Sequence, residues 1–379
     1  MRFYTHRHKY YCGIDLVDAF LAWTGVAAVV CVPHFGPVRK RCTHLTHTSV
    51  MYVCITDETG TILVHKNLRT NPDAFTRIIE PYREDLAVAV ECVFVWYWIA
   101  DLCMQLGVTF VLGHALYMKA IHGGKVKNDR IDSEKIAQLL RSGMLPEAYA
   151  YPEEMRATRD LLRRRMYLVR RQAELQGHIQ NTRHQYNLPT FEKRIDRAVN
   201  REGIANHFDD PMVAASIQID SNLLDSLHQQ ILYVEQMIAQ QARDHDPVGL
   251  QFLRTIPGIG KILALTILYE IGDINRFPQV GKFISYSRLV KCAHESAGKR
   301  VSGRNNKIGN AHLKWAFSEA ACLFLRESDQ AKAWHQKLVS RYGKGKALSI
   351  IAQRLGRTAY FVLKRRTPFD RVKFFASLS

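Results

Sequence analysis

The chain has 379 residues, 47% of them hydrophobic, with 53 Lys and Arg against 35 Asp and Glu, a net charge of +18. That length and apolar content predict a soluble globular protein of two or three domains. The charge points to a polyanionic partner, nucleic acid before any other, bound in a salt-sensitive way, with a merely solvated basic surface as the alternative. The longest apolar run, Phe20 to Val32, is shorter than the roughly 18 residues that span a bilayer and ends at Pro33, so no membrane anchor is expected. Eight cysteines without a CxxC pair, and no secretory signal ahead of them, fit a reduced cytoplasmic chain.

From Lys9 to Leu140 short β-rich runs alternate with helical stretches, which predicts an α/β domain. Tyr11-Cys12-Gly13-Ile14 reads as a strand ended by Asp15. Met51–Thr56 and Thr61–Lys66 read as a hairpin turning at Thr59-Gly60. Leu86–Val90 is a strand closed by Glu91, Tyr97–Leu106 a helix stopped by Gly107, and Val108–Leu112 a further strand. A helix then starts at Asn128, a good N-cap, with Ile131, Ile136, Leu139 and Leu140 as its apolar stripe and Gly143 as its stop. Asp129 and Asp132 stand three residues apart at its start, on one face. Four carboxylates at one sheet edge repel by roughly 4 kcal/mol per pair at about 4 Å and an effective dielectric near 20, and such a cluster normally implies divalent metal.

Between Pro152 and Asp246 two long helices are expected. The first carries seven arginines from Arg156 to Arg171, among them Arg163, Arg164 and Arg165, a density that suits a phosphate backbone better than a salt-bridged surface. In the second, Leu224, Leu227, Ile231, Val234 and Ile238 form a coiled-coil seam, open equally to an intramolecular helix pair and to self-association. After Leu250, Ile256-Pro257-Gly258-Ile259-Gly260-Lys261 leads into an apolar helix. It resembles the hairpin of helix-hairpin-helix DNA-binding elements, in which Gly258, Gly260 and Lys261 face phosphate. A plain connecting turn needs the same glycines. Ser296-Ala297-Gly298-Lys299-Arg300 and Ser302-Gly303-Arg304 read, on composition, as a flexible basic loop.

The order of Tyr11–Asp15, Val88–Glu91, Lys127–Ser133, Ile256–Lys261 and Lys307–Leu313 resembles the DEDD-type insertion-sequence transposases with a C-terminal serine, the RNA-guided bridge recombinases. The resemblance covers most of the chain. It implies an α/β RNase H-like (resolvase-like) domain over 1–150, a helical coiled-coil segment over 151–249, and a mainly α-helical C-terminal transposase domain over 250–379. It further implies that Asp15, Glu91, Asp129 and Asp132 hold magnesium, two Mg²⁺ ions in all, and that Ser296 is the nucleophile, with Ser302 as a less favoured substitute. Lys299 and Arg300 then neutralise phosphate. Donor and target DNA, a guide RNA, and a homodimer or tetramer complete the expected assembly. The alternatives are a metal-dependent junction nuclease that uses water, and a non-catalytic nucleic-acid-binding copy.

One departure bears on the last. In the resembled family a short turn joins the first two strands, whereas here Val17 to Val50 intervenes, beginning two residues from Asp15. Doubling a loop costs only about 0.6 kcal/mol, so the fold tolerates it, but a displacement of Asp15 by about an ångström harms catalysis. The irregular spacing of His34, His44 and His47 argues against a metal site there.

Overall fold

The computed structural model describes residues 3–16, 50–92, 95–122, 128–242, 245–290, 293–296, 299–302 and 308–376. They fall into two compact units, Met1–Glu153 and Glu154–Ser379. The interposed segment, apart from Val50, lies outside the described residues.

The first unit is built on five strands, β1 (Tyr10–Leu16), β2 (Val50–Asp57), β3 (Ile62–Arg69), β4 (Leu86–Glu91) and β5 (Thr109–Gly113), in the order β3-β2-β1-β4-β5. β1 pairs antiparallel with β2, from Tyr10 opposite Asp57 to Leu16 opposite Met51, and parallel with β4, from Tyr10 beside Leu86 to Ile14 beside Val90. Alternation gives the sheet two buried faces. Cys12, Ile14, Val88 and Val90 face a core completed by α1 (Pro72–Ile79) and α2 (Tyr97–Gln105). Tyr11, Ala87 and Ala89 face a second core made with α4 (Asp129–Arg141). Between β5 and α4 lies α3 (Ala115–His122). The α1 helix is absent from the sequence reading, although Asn71 caps it, Pro72 opens it and Phe75 and Ile79 anchor it, each burial stabilising by roughly 1.5–3 kcal/mol.

α4 sits on β1 because Gly13 has no side chain. A methyl there would fall 2.2 Å from Ser133 O and 2.3 Å from Ala137 N. Ile136, Leu139 and Leu140 are buried as expected, but Ile131 is 41% exposed and lies outside the packing stripe.

The second unit is helical. α5 (Glu153–Gln185) and α6 (Pro211–Gln241) are followed by α7 (Pro247–Arg254), α8 (Lys261–Ile271) and α9 (Val280–Tyr286), and then by the two-stranded hairpin β6 (Ala293–Ser296) and β7 (Lys299–Ser302). α10 (Ala311–Glu327), α11 (Asp329–Tyr342), α12 (Lys344–Arg365) and α13 (Arg371–Ala376) complete it. Ile231, Val234 and Ile238 of the predicted seam pack into one core with Met155, Leu162 and Leu168 of α5 and the helices that follow, so the seam is covered within the chain. Leu224 joins a smaller cluster with Ile179, Ile195 and Phe208.

Candidate active site and nucleic-acid contacts

β1 and β4 run parallel, and the register that sets Ile14 beside Val90 puts Asp15 and Glu91 next in line at neighbouring strand ends. Tyr11 and Ala87 face α4, so by alternation Asp15 and Glu91 face it too. The direction of α4 follows from its contacts. At its C-terminal end Gln138 Nε2 donates to Gly60 O (3.4 Å), in the turn beside Asp57, which pairs with Tyr10 at the start of β1. Ser133 lies over Gly13. The first turn of α4, with Asp129 and Asp132, therefore extends toward the end of β1 that carries Asp15.

Asp15 is buried, whereas Glu91, Asp129 and Asp132 are half-buried. Asn128 starts the helix as expected, its side chain accepting from Arg130 N–H at 3.0 Å. Two further contacts hold that turn. Lys135 Nζ lies 3.3 Å from Asp132 Oδ1, and His65 Nε2 on β3 lies 2.9 Å from Arg130 O, tying the helix start to the sheet edge. His65 escaped the sequence reading because it lies in an alternating strand with nothing to link it to a helix 65 residues away.

The carboxylate oxygens are hard donors of the kind a hard divalent cation takes. Among the described residues, however, no group of three or more His, Cys, Asp or Glu side chains stands close enough to hold a metal ion. The four acids share a face and an end of the sheet without being gathered around one point.

In the second unit Ser296 ends β6 and pairs in register with Lys299, while Arg300 pairs with Glu295. The segment read as a flexible loop thus contains a hairpin. Its root is clamped. Asn310 N–H donates to Tyr286 O at 2.6 Å and Arg288 Nε to Ile308 O at 3.1 Å. Asn310 also caps α10, its Oδ1 accepting from His312 and Leu313 N–H, and its Nδ2 donates to Glu270 Oε2 at 2.7 Å.

Glu270 is 1% exposed and sits at the centre of a polar network. Arg163 Nε and a terminal nitrogen donate to its two oxygens at 2.6 and 2.9 Å, and Arg159 Nε donates at 3.2 Å. Burial pushes its carboxyl up, but the Arg163 hydrogen bonds, the two guanidinium charges and Asn310 outweigh that and hold it below the usual range. Of the three adjacent arginines, Arg163 thus holds Glu270, Arg165 Nε donates to Glu235 at 2.7 Å, and Arg164 lies over the Tyr167 ring at 5.0 Å. A lone acid in the otherwise uncharged stretch Ile262–Ile271 was the available sign of such a network.

The turn before α8 is also built into the protein. Gly258 adopts φ +81°, its N–H donates to Glu327 Oε2 at 3.0 Å, and a methyl on it would fall 2.6 Å from Ala320 O. Gly260 has open space around it, and Lys261 is exposed at the first position of α8.

Two family models match the chain in order. One, described as a transposase and defined for the DEDD domain of IS110 elements, matches residues 46–187; the other, "Transposase IS116/IS110/IS902 family", matches residues 250–336. Both matches make the chain similar to the IS110/IS116 transposases. Its five-stranded mixed sheet is accordingly an RNase H-like domain. The transposase for insertion sequence element IS1111A of Coxiella burnetii is 23% identical over 258 residues, 64% of this chain and 68% of that protein. The transposase for IS1328 of Yersinia enterocolitica is 27% identical over 158 residues, covering 39% of this chain and 47% of that protein. The DEDD match begins after β1, so the strand bearing Asp15 lies outside it. Among the described residues no helix is long and apolar enough to cross a membrane.

Proposed function

We propose that this IS110/IS116-type chain is a DNA transposase that cuts and rejoins the DNA of its own mobile element, with Ser296 as nucleophile and Asp15, Glu91, Asp129 and Asp132 as holders of magnesium. The reading is carried by one arrangement: Asp15 and Glu91 end adjacent parallel strands on the face covered by α4, whose first turn brings Asp129 and Asp132 toward the same edge, within a domain of the DEDD transposase type. A guide RNA and a dimer or tetramer belong to the same proposal, supported by the resemblance and by the net charge of +18.

In the proposed reaction the Ser296 hydroxyl oxygen attacks a backbone phosphorus. One Ser–O–P ester forms as one P–O bond of the strand breaks, and the departing oxygen takes up a proton. The number of phosphoesters is unchanged, so a strand hydroxyl can reverse the step and rejoin DNA without an external energy source. A serine hydroxyl is a poor nucleophile at neutral pH. The chemistry that bound magnesium supplies is neutralisation of charge on the phosphate and on the attacking and leaving oxygens. The backbone pairing of Ser296 with Lys299, in a segment flanked by the Asn310–Tyr286 and Arg288–Ile308 contacts, supports a role for Ser296 as an ordered nucleophile.

The test incubates the protein with labelled element-end DNA, its co-purified RNA and Mg²⁺, and looks for a denaturant-resistant protein–DNA adduct. The wild type forms it, while Ser296→Ala and Asp15→Ala do not. Cleavage that persists in Ser296→Ala overturns the serine role in favour of water. A second reading, a nucleic-acid-binding copy without strand cleavage, draws on the ungathered carboxylates and on a DEDD match that starts only at residue 46. It predicts no magnesium-dependent cleavage by any form.

A further inference from the structure

The sequence G-x-G-K occurs at two helix–turn–helix connections: Gly258–Lys261, between α7 and α8, and Gly343–Lys346, between α11 and α12. The leading glycine has nearly the same φ in both, +81° and +79°. We infer that the second turn, Arg341-Tyr342-Gly343-Lys344-Gly345-Lys346, is a docking surface for the phosphate backbone of duplex DNA, made of residues other than those proposed for cleavage.

The surface is strongly and openly cationic. All six residues are exposed, and Lys337, one turn before Arg341, is exposed as well. No carboxylate forms an ion pair with Lys337, Arg341, Lys344 or Lys346 among the described residues, whereas Lys332, Arg366 and Lys373, elsewhere in the stretch 329–376, each have one. The wider stretch 329–376 carries twelve Lys and Arg against two Asp, a net +10 of the chain's +18. Arg341 and Lys346 come from different helices, yet both lie over the ring of Tyr342, at 5.2 and 4.6 Å from its centre. The ring thereby holds two cations on one side of the turn.

The glycines sharpen the reading. Gly343 is required by its backbone, φ 79° and ψ 159°, which only glycine adopts readily. Gly345 has no such need. It is the second residue of α12, has no left-handed φ, and a methyl on it would meet nothing within 4 Å. Glycine is a poor helix former, so neither packing nor local conformation favours it there. Its absent side chain leaves room for a ligand backbone to approach between Lys344 and Lys346.

The occupant follows from charge and rigidity. A run of fixed cations on two helices, with Tyr342 the sole large apolar side chain among the six, complements a regular array of phosphates and lacks the apolar anchor a lipid surface takes. A DNA duplex is the polyanion the chain's family acts on. This contact lies beyond residue 336, where the family match ends, so that match does not account for it.

The test measures binding of the full chain to a labelled duplex DNA of arbitrary sequence by fluorescence anisotropy across a salt series. The triple substitution Arg341→Ala, Lys344→Ala, Lys346→Ala is expected to weaken binding about tenfold or more near 0.1 M salt and to lower the slope of log affinity against log salt by about 2 to 3. Unchanged affinity and slope overturn the proposal. Loss of binding to an RNA duplex of the same length, with DNA binding intact, overturns the assignment to DNA. Gly345→Ala is expected to raise the melting temperature slightly and to weaken DNA binding about threefold; stabilisation with unchanged binding overturns the close approach. The measurement reads non-covalent binding and involves no cleavage, so failure of the serine reading leaves it standing.

Discussion

At the first G-x-G-K turn a methyl on Gly258 would strike the backbone of α10 at Ala320 and Phe324, and the helix that follows is buried from Leu263 to Ile271; at the second, methyls on Gly343 and Gly345 would meet nothing, and every residue is exposed. The same four-residue pattern therefore does two different things. In the first turn the glycine lets two helices pack, and its N–H is satisfied by Glu327. In the second the glycine pair leaves open space beside cations that have no carboxylate partner among the described residues. What a Cβ would strike distinguishes the two uses, and the motif alone does not.

The largest expected effect tests how firmly the first turn belongs to the core. Glu270 lies near the end of the helix that this turn starts, and Glu270→Ala leaves the buried Arg159 and the half-buried Arg163 without their shared carboxylate, an expected loss of about 3 kcal/mol in urea unfolding of the wild type and variant. The sign with pH is fixed by direction. Glu270 is held below its ordinary value of 4.5, so its contribution is complete above that pH and is lost as pH falls through the lower folded value. His312, at the start of α10, acts earlier. Burial pushes it down from 6.5 to about 4, with Arg163, Arg159 and Arg170 in the same direction and Glu270 opposing. The unfolded chain thus takes up this proton first, and stability declines as pH falls from 6.5 toward 4. His312→Leu is expected to flatten melting temperature against pH across that window; an unchanged slope there would show that another group titrates.

Next comes Gly258→Ala. A left-handed backbone costs roughly 1–2 kcal/mol for an alanine, and overpacking adds about 1–3, so a loss of about 2 to 5 kcal/mol is expected by chemical denaturation. A loss well under 1 kcal/mol would mean that α10 can yield and that the first turn is as open as the second.

How much of this could be read beforehand depended on range. Asp15 and Glu91 were legible as strand ends because alternation and a terminal acid are local signals, and Asn128 and Gly143 bracketed α4 by the same token. That Asp15 and Glu91 become neighbours follows only from the parallel pairing of β1 with β4. Of the arginine run of α5 only part was legible, for the same reason. Its density was visible, but the carboxylate that holds Arg163 lies 107 residues away. The hairpin at Ser296 has strands of four residues, too short for alternation to stand out in a basic stretch rich in small residues. Ile131 fits a helical apolar spacing yet lies exposed, since the face of α4 that packs is set by Gly13.

The smallest effects come from the second turn, where two neighbouring glycines should respond with opposite signs. Gly343→Ala forces a side chain into a backbone region that only glycine enters readily, an expected loss of about 1–3 kcal/mol with no steric clash to add to it. Gly345→Ala, two residues later in α12, meets no atom and replaces glycine by the best helix former, an expected gain of roughly 0.5–1 kcal/mol. Paired melting curves of the two variants read this directly. If both destabilise, Gly345 is held by packing as Gly258 is, and the contrast between the turns fails. If the signs oppose, folding alone gives no reason for glycine at 345, which supports a close approach of the ligand at this turn.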